Sequence, residues 1–101
     1  MKIEEAQDRV DALIEHYGGY WKPLSMYARL VEEVGELGRA MNIKYGDKKS
    51  KSQLDGKAME EELSDVFFTI LAISKMAGID LATEFEDKVE KDWEKCKGVY
   101  D

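Results

Sequence analysis

Two short runs of this sequence carry carboxylates where a helix should present apolar side chains to a core. In the run Leu-Val-Glu-Glu-Val-Gly-Glu-Leu, Glu32, Glu33 and Glu36 fall on adjoining ridges of one helix. At about 100° per residue, Glu33 lies between Leu37 and Ala40, inside the stripe expected to face inward. In the run Met-Glu-Glu-Glu-Leu-Ser-Asp, Glu62 projects beside Ile73, and Asp65 lies one ridge further out. Burying an unpaired carboxylate costs several kcal/mol, so each of these acids needs a cation. That cation is either a metal ion or an ordinary lysine or arginine. Oxygen donors with no Cys or His beside them suit Mg²⁺ or Mn²⁺ better than zinc. The single histidine, His16, is far from both acid pairs in sequence, which disfavours a di-iron centre. With 22 acids in 101 residues, pairs three apart also arise by chance, as at Glu84 and Asp87, so spacing alone leaves both cations open.

The elements that must position these acids read as four helices. Ile3, Ala6, Val10, Leu13, Ile14 and Tyr17 recur at helical steps until Gly18 and Gly19. Ser25 is placed to cap a second helix whose apolar stripe is Met26, Leu30, Val34, Leu37 and Met41, ending at Tyr45 and Gly46. A polar, aperiodic stretch follows. A third helix is expected from near Asp55 to Gly78, and a fourth, capped by Asp80, carries Leu81, Phe85, Val89 and Cys96 on one side before fraying near Gly98. In the third helix, the run from Val66 to Ile73 is apolar nearly all round. A chain this short has too few other helices to enclose such a run, which points to self-association; a central helix in a tight monomer is the alternative.

Composition narrows the classes. A length of 101 residues allows one domain spanning 1–101, and one proline with much Ala, Leu, Glu and Lys excludes an all-β fold in practice. The net charge of −7 opposes nucleic-acid binding. The lone Cys96 rules out an internal disulfide and a zinc ribbon. The acidic start MKIEEAQDRV is unlike a signal peptide, and no run reaches the roughly 18 apolar residues of a membrane span. The expectation is a cytoplasmic protein with no membrane partner.

The run LVEEVGELGRA followed by MEEELSDVFF resembles the paired signature of the MazG-like, all-α nucleoside triphosphate pyrophosphohydrolases. The likeness is close over the second and third helices, takes in the NIKYG segment, and extends to the whole chain in helix order. It implies a four-helix MazG-like bundle that assembles as a homodimer or homotetramer. It also implies Mg²⁺, with Mn²⁺ as the alternative, held by Glu33, Glu36, Glu62 and Asp65, and cleavage of a nucleoside triphosphate to monophosphate and pyrophosphate. Such an ion would stand between the acids and the substrate's phosphates. Glu32 is assigned a general-base or outer role, although it points away from the stripe.

Beyond the metal, a triphosphate needs direct cations. Lys88, Lys91 and Lys95 form a ridge beside the apolar stripe of the fourth helix and are candidates for the phosphates; a solvated face with Lys88 paired to Glu84 is the alternative. Asp92 after Lys91 departs from the family pattern, which puts a base or sugar contact there in doubt. The basic stretch from Lys44 to Lys57 is either a lid or a plain connection. Tyr17, Tyr20 and Trp21 offer aromatic faces for a nucleobase, and Asn42 a hydrogen bond, against ordinary roles in core packing and helix termination. A non-catalytic helical interaction module is the competing function, and a silent nucleotide-binding relative a third.

Overall fold

Short glycine-bearing or polar breaks separate amphipathic runs, and each run forms a helix. The computed structural model describes residues 1–46 and 58–98. It contains α1 (Ile3–His16), α2 (Pro23–Tyr45), α3 (Met59–Met76) and α4 (Leu81–Cys96), with no strand among the described residues. After α1, Gly18 and Gly19 adopt φ of 113° and 101°, a region that side-chain-bearing residues avoid. This lets the Gly19 N–H turn back to the Ile14 carbonyl at 2.9 Å. Gly78, at φ 71°, ends α3 in the same way, and the Ile79 N–H reaches the Ser74 carbonyl at 2.8 Å. Asp80 caps α4 as expected, accepting from the Thr83 N–H at 3.2 Å and the Thr83 hydroxyl at 2.7 Å.

Two expected boundaries change. Ser25 does not cap α2: the helix begins at Pro23, after Lys22, because the fixed φ of proline suits the first helical position. The described part of α3 begins at Met59, and the expected start near Asp55 lies outside the described residues. So do Lys48, Lys49, Lys51 and Lys57 of the basic stretch. Lys44 belongs to the last turn of α2, 3.9 Å from Glu60 of α3.

The buried face of α2 is rotated from the expected stripe. Val34 and Met41 are exposed, while Met26, Glu33 and Ala40 are buried. These three are seven residues apart, so they stack along one line of the helix. On α3, Glu62 and Thr69 repeat that spacing and are also buried. The extensive α2–α3 seam therefore has a coiled-coil-like period, with a glutamate on each side where a leucine would ordinarily stand. The apolar core is small, consisting of Val10, Met26, Leu71 and Ala72 with Ile14, Ile73 and Leu81 packed around it.

A polar pin fastens α1 to α3. The Gln7 amide donates to the Ser74 hydroxyl at 2.8 Å and to the Ile79 carbonyl at 2.9 Å, and Ser74 donates to the Leu71 carbonyl at 2.7 Å. Lys75 meets Asp8 at 2.6 Å on the rim of the same contact. Beyond Gly78 the chain bends by 111°, sending α4 away from α3. This helix packs chiefly on α1 and buries none of its residues, leaving Phe85, Val89 and Trp93 exposed. A radius of gyration of 16.9 Å, against about 13 Å for a compact domain of this length, reflects that departure. No single described helix is long and apolar enough to cross a membrane.

Replacing Gln7 with Ala removes donors from a buried polar cluster and should cost about 2 kcal/mol in urea unfolding. The Asp80 cap should also be sensitive to acid. Its hydrogen bonds from Thr83 lower the carboxyl pKa below the ordinary value, so its stabilisation is complete above about pH 4 and fades as pH falls through the lower folded value. The advantage of wild type over Asp80→Ala in thermal midpoint should narrow over that acidic interval.

Candidate active site

The seven-residue seam that builds the α2–α3 contact also gathers its acids. One carboxylate oxygen from each of Glu33, Glu62 and Asp65 lies within 4.8 Å of the others. Glu33 and Glu62 are buried, and Asp65 is half-buried at the mouth. Unit negative charges at that separation repel by about 3 kcal/mol per pair at an effective dielectric of about 20. Positive charge is therefore the main requirement of the site. Arg29, one turn before Glu33, partly meets it: its Nη2 donates to Glu33 Oε1 at 2.8 Å, and its Nη1 lies 3.7 Å from Glu32. Glu33 Oε2 is buried with no hydrogen-bond partner among the described residues. The three oxygens that converge here are carboxylate oxygens, and a donor set of that kind fits a hard divalent cation.

A cavity of about 520 Å³ opens beside this group. Glu33, Asp65 and Arg29 border it, together with Thr69, whose hydroxyl donates to the Asp65 carbonyl at 2.9 Å. The remaining wall is largely aromatic and apolar, with Tyr17, Tyr20, Trp21, Phe68, Leu13 and Met26 among its residues. Tyr20 is fixed there by its hydroxyl, which donates to Asp11 at 2.5 Å. Burial, and then the Asp11 carboxylate, push the phenol well above its usual pKa, so the ring stays neutral. The arrangement places a cation-demanding carboxylate group next to a surface able to stack against a planar ring.

The expected site residues divide by location. Glu33, Glu62 and Asp65 come together, and Tyr17 and Trp21 line the adjoining cavity. Glu36 is exposed and stands outside the carboxylate group, because it projects from the solvent side of α2. Glu32 is exposed beside Arg29. Asn42 is exposed near the end of α2, where its carbonyl accepts from the Gly46 N–H. Lys88, Lys91 and Lys95 are exposed on α4 and do not line the cavity of their own chain. Lys88 pairs with Asp92 at 2.7 Å, not with Glu84, and this contact holds the Asp92 carboxyl below its usual pKa. Arg29, Phe68 and Thr69 were not foreseen, although the four-residue steps from Arg29 to Glu33 and from Asp65 to Thr69 were available in the sequence.

Comparison with known proteins agrees with this geometry. Residues 21–100 match the MazG nucleotide pyrophosphohydrolase domain. The YpjD protein of Bacillus subtilis strain 168 is 42% identical over 88 residues, which cover 86% of this chain and 78% of the relative. Among solved structures, the Bacillus-conserved MazG protein, a nucleotide pyrophosphohydrolase, superposes with a TM-score of 0.76 at 38% identity, covering 90% of this chain and 88% of that one. The structure of YPJD from Bacillus subtilis superposes at 0.78 with 40% identity, covering 91% and 94%. A chain whose α2 and α3 bring Glu33, Glu62 and Asp65 together beside an aromatic cavity thus belongs to the MazG nucleotide pyrophosphohydrolase family.

Proposed function

We propose that this protein hydrolyses a nucleoside or deoxynucleoside triphosphate to the monophosphate and pyrophosphate with the help of Mg²⁺, Mn²⁺ being the alternative ion. The observation that carries this reading is the meeting of Glu33, Glu62 and Asp65 within 4.8 Å, in a buried setting that opens on an aromatic cavity. A bound divalent ion would screen the phosphates, polarise a phosphoryl oxygen and make a nearby water more acidic. Glu33 and Glu62, anchored by packing on opposing helices, hold their oxygens in place for it. Asp65 sits at the mouth, and Glu36 supplies a further oxygen if its exposed side chain turns inward. Glu32, close to the same end of α2 and solvent-accessible, is the carboxylate assigned to accept a proton.

Tyr17, Tyr20, Trp21 and Phe68 form the wall for the base, with Tyr20 held rigid by Asp11. Lys88, Lys91 and Lys95 lie away from the chain's own cavity, so their role toward phosphate requires the cavity of a second subunit. Asn42, on the exposed end of α2, is subject to the same condition. Assembly as a homodimer or homotetramer is supported by α4, none of whose residues is fully buried, and by the exposed Phe67, Ile70, Phe85 and Trp93. Clearing surplus or non-standard triphosphates is the cellular task that fits this chemistry.

A panel of canonical and modified triphosphates, incubated with Mg²⁺ and resolved for monophosphate and pyrophosphate, tests the activity. Turnover of at least one member is expected, and none would favour the non-catalytic module. Asp65→Asn should lower turnover by at least about a hundredfold while helicity is retained. Trp21→Ala should instead raise KM by about tenfold through lost stacking. In calorimetric melts, Mg²⁺ at about 100 times its Kd should stabilise the wild type by about 2.7 kcal/mol, and Asp65→Asn should lose most of that gain. Sedimentation should give a mass above that of one chain, falling towards it in Trp93→Glu.

A further inference from the structure

Arg29 occupies a position that the carboxylate chemistry alone does not explain. It reaches the buried Glu33 from the solvent side, with its own side chain about half exposed, and takes only Oε1. Among the described residues it is also the one basic side chain that borders the cavity. Resting on the metal-site reading above, we propose that Arg29 is an exchangeable counter-cation: it neutralises Glu33 until a divalent ion does so, and then serves the substrate's phosphates.

The exchange follows from charge and geometry. Glu33 is deeply buried and must be neutralised at all times, whereas Arg29 keeps a solvated flank and loses little on leaving. A guanidinium bonded to a carboxylate that also ligates a divalent ion faces two like charges at close range, which weakens its hold. A phosphate chain arriving in the same cavity presents oxygens that match the planar fork of arginine. Glu33 and phosphate thus compete for one side chain, and the divalent ion shifts that competition towards phosphate. Because Arg29 and the ion compete for Glu33, removing the arginine should tighten ion binding, and the same change should weaken phosphate binding.

Titration calorimetry separates these effects without relying on turnover. Mn²⁺ alone, and preformed Mn²⁺–tripolyphosphate, are titrated into wild type, Arg29→Gln and Arg29→Lys. Arg29→Gln should bind Mn²⁺ about tenfold more tightly and the tripolyphosphate complex about tenfold more weakly. Arg29→Lys, a point charge without the planar fork, should hold Glu33 less firmly and so bind Mn²⁺ more tightly than wild type and the complex more weakly, and it decides the matter if Arg29→Gln does not fold. Wild-type binding of Mn²⁺ with no change in either variant would overturn the exchange and leave the metal site standing. Absence of Mn²⁺ binding in the wild type would remove both.

Discussion

A buried carboxylate that must never be left without positive charge is the constraint around which this protein is organised. Glu33 is only 2% exposed on the face of α2 that packs against α3, in the line that also holds Met26 and Ala40. Leucine there would lengthen the apolar core; glutamate shortens it and places like charges across the seam at Glu62 and Asp65. The core that remains is small, and polar pins such as Gln7–Ser74 stabilise the frame beside it. Stability given up at such a position is the usual mark of a site kept for chemistry.

The same constraint orders the surroundings. The chain has a net charge of −7, and a polyphosphate is strongly anionic, so attraction between them has to be arranged locally. The cavity has apolar and aromatic walls on one part, which tolerate an anion's neutral base, and on another it borders Glu33 and Asp65 of the acid group. Tyr20 shows how the aromatic part is held: its hydroxyl is occupied by Asp11, so the ring is presented to the cavity.

Helix order and the acid cluster were legible because both depend on local periodicity. Gly18, Gly19, Gly78 and Asp80 are punctuation with a backbone reason, and they stand where the sequence places them. The exact face of α2 was not legible. A stripe chosen by hydrophobicity passes through Val34 and Met41, whereas the buried line follows Glu33 and Ala40, because packing against α3 selects a seven-residue period over the greasiest arc. Glu33 stands out in the sequence as an acid on a core-facing stripe, and the structure buries it there, while Glu36, three residues on in the same motif, is exposed on α2. Arg29 reads as an ordinary surface arginine until the burial of its partner is known.

Helix α4 shows a different limit. Phe85, Val89 and Trp93 recur on one side of it and are exposed, and periodicity does not name a surface that would meet them. The 111° bend after Gly78 carries that face away from α2 and α3, and with it the lysine ridge that charge alone would assign to the cavity. Electrostatic complementarity read along a sequence assumes that the elements fold back on one another. A helix that leaves the core of its own chain breaks that assumption, so a residue's chemistry and its access to the site have to be argued separately.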